Sequence, residues 1–110
     1  MSFRAYDVAL EIIQALREPL VRLERFDREL AAQARTAASS VVLNVSEGRR
    51  RQGKDRFHLW RVAAGSNAEV RAALRVAVAW GFLDGQDVLK ADELLDREQA
   101  MLWRLTQPRS

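Results

Sequence analysis

At 110 residues, with 48% hydrophobic and 30% charged residues, the chain has the length and balance of one soluble globular domain rather than a disordered segment. It contains no cysteine, which excludes disulfides, thiolate catalysis and cysteine-held metals and suits a reducing compartment. The net charge is only +3, yet positions 49–56 hold five basic residues against Asp55 alone, while positions 84–98 hold six acids against Lys90 and Arg97. The opening stretch, MSFRAYDVALEII, puts Asp7 and Glu11 where a secretion signal needs unbroken apolar residues. No apolar run approaches a bilayer-spanning length, so the expectation is a cytoplasmic protein with one domain over residues 1–110.

In chain order, Tyr6, Ala9, Leu10, Ile13, Leu16, Leu20 and Leu23 recur at helical spacing and predict a first helix, kinked or interrupted near Pro19. Asp27 is the expected N-cap of a second helix, whose apolar face is Leu30, Ala34, Ala37, Ala38, Val41 and Val45. The β-branched run VVLNV continues that pattern without a turn signal and has no partner strand, so it reads as helix. Val42 and Leu43 fall off the main face, which leaves this helix apolar nearly all round and in need of cover on more than one side, such as another subunit. Gly48 and Gly53 bracket RRRQ as a helix end and elbow. A third helix is expected from about Lys54 to Trp80, stopped by Gly81. A fourth starts near Asp84, with Asp84 and Asp87 at the positive end of its dipole and a stripe of Val88, Ala91, Leu95, Leu102 and Leu105. Four helices with short connections predict an all-α, antiparallel up-down four-helix bundle.

The stretches QARTAASSVVLNVSEGRRRQGKDRF, AAGSNAEVRAAL and AWGFL carry a resemblance to the bacterial four-helix-bundle proteins related to those encoded in intervening sequences of 23S ribosomal RNA genes. The family pattern of Ser, Asn and Glu-Gly in the second helix is matched by Ser40, Asn44, Glu47 and Gly48. Its Gly-Ser and Glu in the third helix are matched by Gly65, Ser66 and Glu69, and its Gly-aromatic-Leu by Gly81 to Leu83. Where many members have proline two residues before the Asn, this chain has Val42. The resemblance implies a left-handed up-down bundle assembled as a ring-shaped homopentamer. It also implies kinship with accessory proteins of diversity-generating retroelements, which bind nucleic acid and a reverse transcriptase.

Ser40, Asn44 and Glu47 share one side of the second helix, and Glu69 lies one turn beyond Gly65 on the third. Gly65 is expected at a close helix–helix approach, so that a leucine there would destabilise the fold. The set Ser40, Asn44, Glu47, Gly65 and Glu69 reads as a polar network that fixes helix register rather than as a carboxylate pair for acid–base or metal chemistry. A carboxylate-bridged metal bundle needs Glu-x-x-His on two helices, and the one histidine, His58, has no Glu at that spacing. No catalytic residue, metal or cofactor is expected. Trp60, Trp80 and Trp103 fit apolar stripes, with core or interface packing as their default. Arg61, Arg71 and Arg75 continue the basic character along one side of the third helix.

The remaining candidate site is the basic cluster Arg49, Arg50, Arg51, Lys54, Arg56 and Arg61, which suits phosphate contacts without sequence preference. The resulting expectation is a non-enzymatic homo-oligomeric bundle that binds RNA or DNA, an accessory to a reverse transcriptase or another nucleic-acid enzyme. The alternative is an interaction scaffold whose arginines pair with the acidic last helix of a neighbouring subunit. No contact with a membrane is expected.

Overall fold

The computed structural model describes residues 3–108. Four helices follow in order: α1 (Arg4–Glu24), α2 (Arg28–Arg49), α3 (Gly53–Ala79) and α4 (Gly85–Leu105). There is no strand among the described residues, and VVLNV lies inside α2. The helices form an all-α four-helix bundle of 45 × 24 × 21 Å. α1 packs on α2 and α4, and α3 packs on the same two. Along the α3–α4 contact the partners run in opposite sequence order, from Arg61 with Thr106 to Arg71 with Asp92. None of the helices among the described residues is long and apolar enough to cross a membrane.

The helix starts follow local chemistry. Asp27 accepts a hydrogen bond from the Leu30 N–H at 2.9 Å, as expected of the α2 cap. Asp84 and Asp87 form a reciprocal capping box at the start of α4. Those hydrogen bonds, helped by Arg22, hold the Asp87 carboxyl below its ordinary range. Gly81 stops α3 with φ +81°, where the backbone N–H groups of Gly81 and Phe82 close onto Val78 and Ala77. Of the kink or interruption expected near Pro19, the interruption does not occur: α1 runs through it as one helix. Proline removes one backbone donor, but Pro19 is itself buried, between the core residues Leu16, Leu20 and Leu23. The apolar face of α1 is also rotated from the expected one, since Ile12 is buried and Leu10 is 38% exposed.

The core is two apolar clusters with a polar layer between them. The larger gathers Ile12, Leu16, Leu23, Leu74 and Leu95 with their neighbours. The smaller, toward the α2–α3 elbow, is Ala5, Ala9, Val41, Val45, Trp60, Ala63 and Leu102. Along α3 the division falls at Asn67, and on α4 Glu98 interrupts the apolar stripe between Leu95 and Met101, both residues being fully buried. Asn67 Nδ2 donates to the Leu95 carbonyl at 2.9 Å and to Gln99 Oε1 at 2.8 Å, and Gln99 Nε2 donates to the Ala64 carbonyl at 3.2 Å. Neither carboxyl oxygen of Glu98 has a hydrogen-bond partner among the described residues, and burial pushes its pKa up to about 8. Glu98 is therefore protonated at neutral pH.

Candidate nucleic-acid interface

The elbow between α2 and α3 is built around Gly48 and Trp60. Gly48 is a buried residue of α2, not part of its frayed end. A β-carbon at Gly48 would meet Cδ1 and Nε1 of Trp60 at 2.6 Å, so only glycine lets the indole lie against the helix. Trp60 Nε1 donates to the Val45 carbonyl at 3.3 Å, and Phe3 tilts against the same ring at 5.8 Å. This packing closes the smaller apolar cluster and carries the basic residues above it. At the turn itself Gly53 takes φ +59°, and α3 begins without a side-chain cap.

The six candidate cations divide into two groups. Arg56 is structural: Nε and Nη2 donate to the carbonyls of Gly48 and Arg49 at 3.0 and 2.9 Å, and its guanidinium lies over Trp60. It thereby satisfies orphan acceptors at the negative end of the α2 dipole. Arg61 does the same for α4, donating to the Thr106 carbonyl at 3.3 Å. Arg51 is bonded to Glu47 at 2.9 Å. Arg49 lies 5.0 Å over the Phe3 ring. Arg49, Arg50 and Lys54 are exposed and form no ion pair among the described residues. The same end of the bundle holds Arg4 and Arg104, which flank a cleft lined by Phe3, Ala5, Met101 and Leu105. These two lie far from the elbow in sequence, and only the packing of α1 on α4 brings them in.

The expected polar network is redrawn. Ser40 and Ser66 hydroxyls are hydrogen-bonded at 2.9 Å, and Asn44 Nδ2 donates to the Ser40 carbonyl and hydroxyl at 2.9 and 3.0 Å. Glu47 is taken by Arg51, and Glu69 is exposed. A β-carbon at Gly65 would meet nothing within 4 Å, so the close approach expected there is not made within the chain. The pinning role across α3 and α4 falls instead to Asn67 and Gln99. No set of three or more His, Cys, Asp or Glu side chains arranged to hold a metal ion occurs among the described residues. His58 is exposed at the start of α3. Of the tryptophans only Trp60 is in the core, whereas Trp80 and Trp103 are 71% and 63% exposed. Arg71 is held by Asp92 and Asp96 of its own chain at 3.7 and 3.4 Å.

The model of the family described as 23S rRNA-intervening sequence protein matches residues 2–104. The chain belongs to this family. A similar solved structure is that of a protein of unknown function from the S23 ribosomal protein family of Bacteroides thetaiotaomicron. The two superpose with a TM-score of 0.83 at 14% identity, covering 94% of this chain and 99% of that one, which shows a shared fold. No curated protein matches the chain. In this chain the glycine of the Glu47-Gly48 pair has a physical reason, since Gly48 is the residue that admits the Trp60 indole.

Proposed function

We propose that this 23S rRNA-intervening sequence protein is a non-enzymatic nucleic-acid-binding accessory that holds phosphate backbones at the elbow end of the bundle. The observation that carries the reading is that Arg49, Arg50 and Lys54 have no ion-pair partner among the described residues, with Arg4 and Arg104 from the other two helices beside them. Exposed unpaired cations gathered at one end favour a polyanion, and their phosphate contacts carry no sequence information. The scaffold alternative keeps one observation in its favour, the pairing of Arg71 with Asp92 and Asp96, but that pairing lies within the chain and involves none of the elbow cations.

The protein works as a homo-oligomer in this proposal. Along the outer side of α3, Val62, Glu69 and Val76 recur every seven residues, with Trp80 one turn further on, the spacing of one helix face left without a partner. Val62, Val76 and Trp80 are exposed, and so is Leu43 on α2. A two-fold contact that ran α3 antiparallel to itself about Glu69 would oppose two carboxylates, which favours a head-to-tail ring, such as the pentamer implied by the resemblance. A reverse transcriptase or a similar nucleic-acid enzyme in the cytoplasm is the partner class.

The test is fluorescence anisotropy of labelled RNA and DNA across a salt series, with light scattering on the same samples. The reading expects log–log slopes of about −0.7 to −0.9 per phosphate contact and little dependence on sequence. No binding at low salt, or a monomer at micromolar concentration, would overturn its respective half.

A further inference from the structure

The elbow end contains a cavity that phosphate contacts alone do not use. Between the start of α1 and the end of α4 lies a cleft of about 250 Å³ lined by Phe3, Ala5, Met101 and Leu105, with Arg4 and Arg104 at its walls. Arg49 lies over the Phe3 ring and so adds a third guanidinium to its margin. No carboxylate of the described residues lines the cleft. The larger groove toward the other end of the same α1–α4 seam, about 870 Å³, instead mixes Glu18 and Asp87 with its cations. An apolar floor under an all-arginine margin is matched to a ligand that is flat and apolar in one part and anionic on both sides of it. The volume falls just below the range that holds drug-sized molecules.

We infer that this cleft receives one unstacked base of a single-stranded nucleic acid, with the flanking phosphates on Arg4, Arg49 and Arg104. The inference rests on the nucleic-acid reading above and narrows it to single strands. A duplex keeps its base faces stacked and offers only backbone, whereas a single strand can seat a base in the cleft, beside the edge of Phe3 and the side chain of Leu105. Arginine suits the margin because its planar guanidinium both pairs with phosphate and stacks on a base. Arg56 and Arg61 are already bonded to backbone carbonyls, so the cleft arginines, with Arg50 and Lys54 of the elbow, are the cations at this end left to follow the strand.

The decisive probe is a fluorescein-labelled oligouridine compared with an oligomer of equal length in which abasic sites replace the bases. Both carry the same phosphates. The inference expects the abasic strand and a matched duplex each to bind about tenfold more weakly, the effect of one base stacked on a protein ring. It also expects 4-thiouridine placed in the strand to photocrosslink to the peptide containing Met101 and Leu105, with the crosslink reduced in Arg104→Glu. Equal affinity for the abasic strand, or crosslinks confined to other surfaces, would overturn the base-holding cleft while leaving phosphate binding at the elbow in place. Absence of binding by every oligonucleotide would remove the nucleic-acid reading and this inference with it.

Discussion

The two ends of the bundle finish their helices with opposite chemistry. At the end that carries the α1–α2 and α3–α4 turns, Asp27 and Asp84 place carboxylates on the N-termini of α2 and α4. Phe26, Phe82 and Trp80 stack over the same turns, with ring centroids 5.3 and 6.3 Å apart. At the elbow end neither N-terminus has a side-chain cap among the described residues: α1 follows Phe3 and α3 follows Gln52. There the C-termini of α2 and α4 are closed by Arg56 and Arg61. One end thus caps its helix N-termini with aspartate side chains, and the other, with Asp7 and Asp55 in its first turns but no cap, lies beside surplus arginine. The contrast teaches that the basic elbow is more than a charged run in the sequence. It is one wall of an arginine-rich end to which all four helices contribute.

Perturbations along the molecule sharpen or break this contrast. The largest effect lies in the layer between the ends. Glu98 keeps its proton to about pH 8 in the fold, against 4.5 for an ordinary glutamate, so the unfolded chain loses that proton first as pH rises. The stability involved is complete below about pH 4.5, declines by up to about 1.4 kcal/mol per pH unit, and is lost above about pH 8. Thermal melts should fall across that window, and Glu98→Gln should flatten the dependence; an unchanged slope in the variant would show that other groups set it. Next in size is Gly48→Ala, which drives a β-carbon into Trp60 and should cost about 1–3 kcal/mol in denaturant unfolding. Gly65→Ala, with open space around it, should be neutral or up to about 1 kcal/mol stabilising. At the turn end, Asp84→Ala should cost about 1 kcal/mol by removing half of the capping box. The smallest effect is the most pointed. Gln52→Asp should give α3 the cap it lacks, raise stability by about 0.5–1 kcal/mol and weaken oligonucleotide binding. A gain in both stability and affinity would break the link between open N-termini and anion binding.

Much of the fold was legible in the sequence because local signals agreed with the packing. Asp27, Asp84 and Gly81 mark their boundaries through side-chain caps and a left-handed turn, which depend on a few neighbouring residues. The polar layer was less legible, although a signal existed. The α4 stripe Val88, Ala91, Leu95, Leu102 leaves a gap at Glu98, the position where the helical period requires a buried residue. Counting Glu98 among the acids of its segment hid that gap, and Asn67 fills the corresponding gap on α3. Gly65 misled for the opposite reason: a small residue signals close approach only when another helix is beside it, and its face is open. Gly48 has such a neighbour in Trp60, a contact between two helices that spacing along one helix does not reveal. The cleft at the elbow end combines Phe3 and Arg4 with residues about a hundred positions later, so only the assembled bundle displays it.

The central claim is that the elbow end, and not the turn end, receives nucleic acid. It is tested most directly by anisotropy titration of one labelled single strand against two charge-reversal variants of equal size. Arg50→Glu with Lys54→Glu alters the elbow, and Arg25→Glu with Arg28→Glu alters exposed cations at the turn end. The account predicts that the elbow variant loses binding at moderate salt and flattens the salt dependence by about two phosphate contacts, while the turn-end variant stays within about twofold of wild type. Equal losses in the two variants, or a larger loss from the turn end, would contradict it.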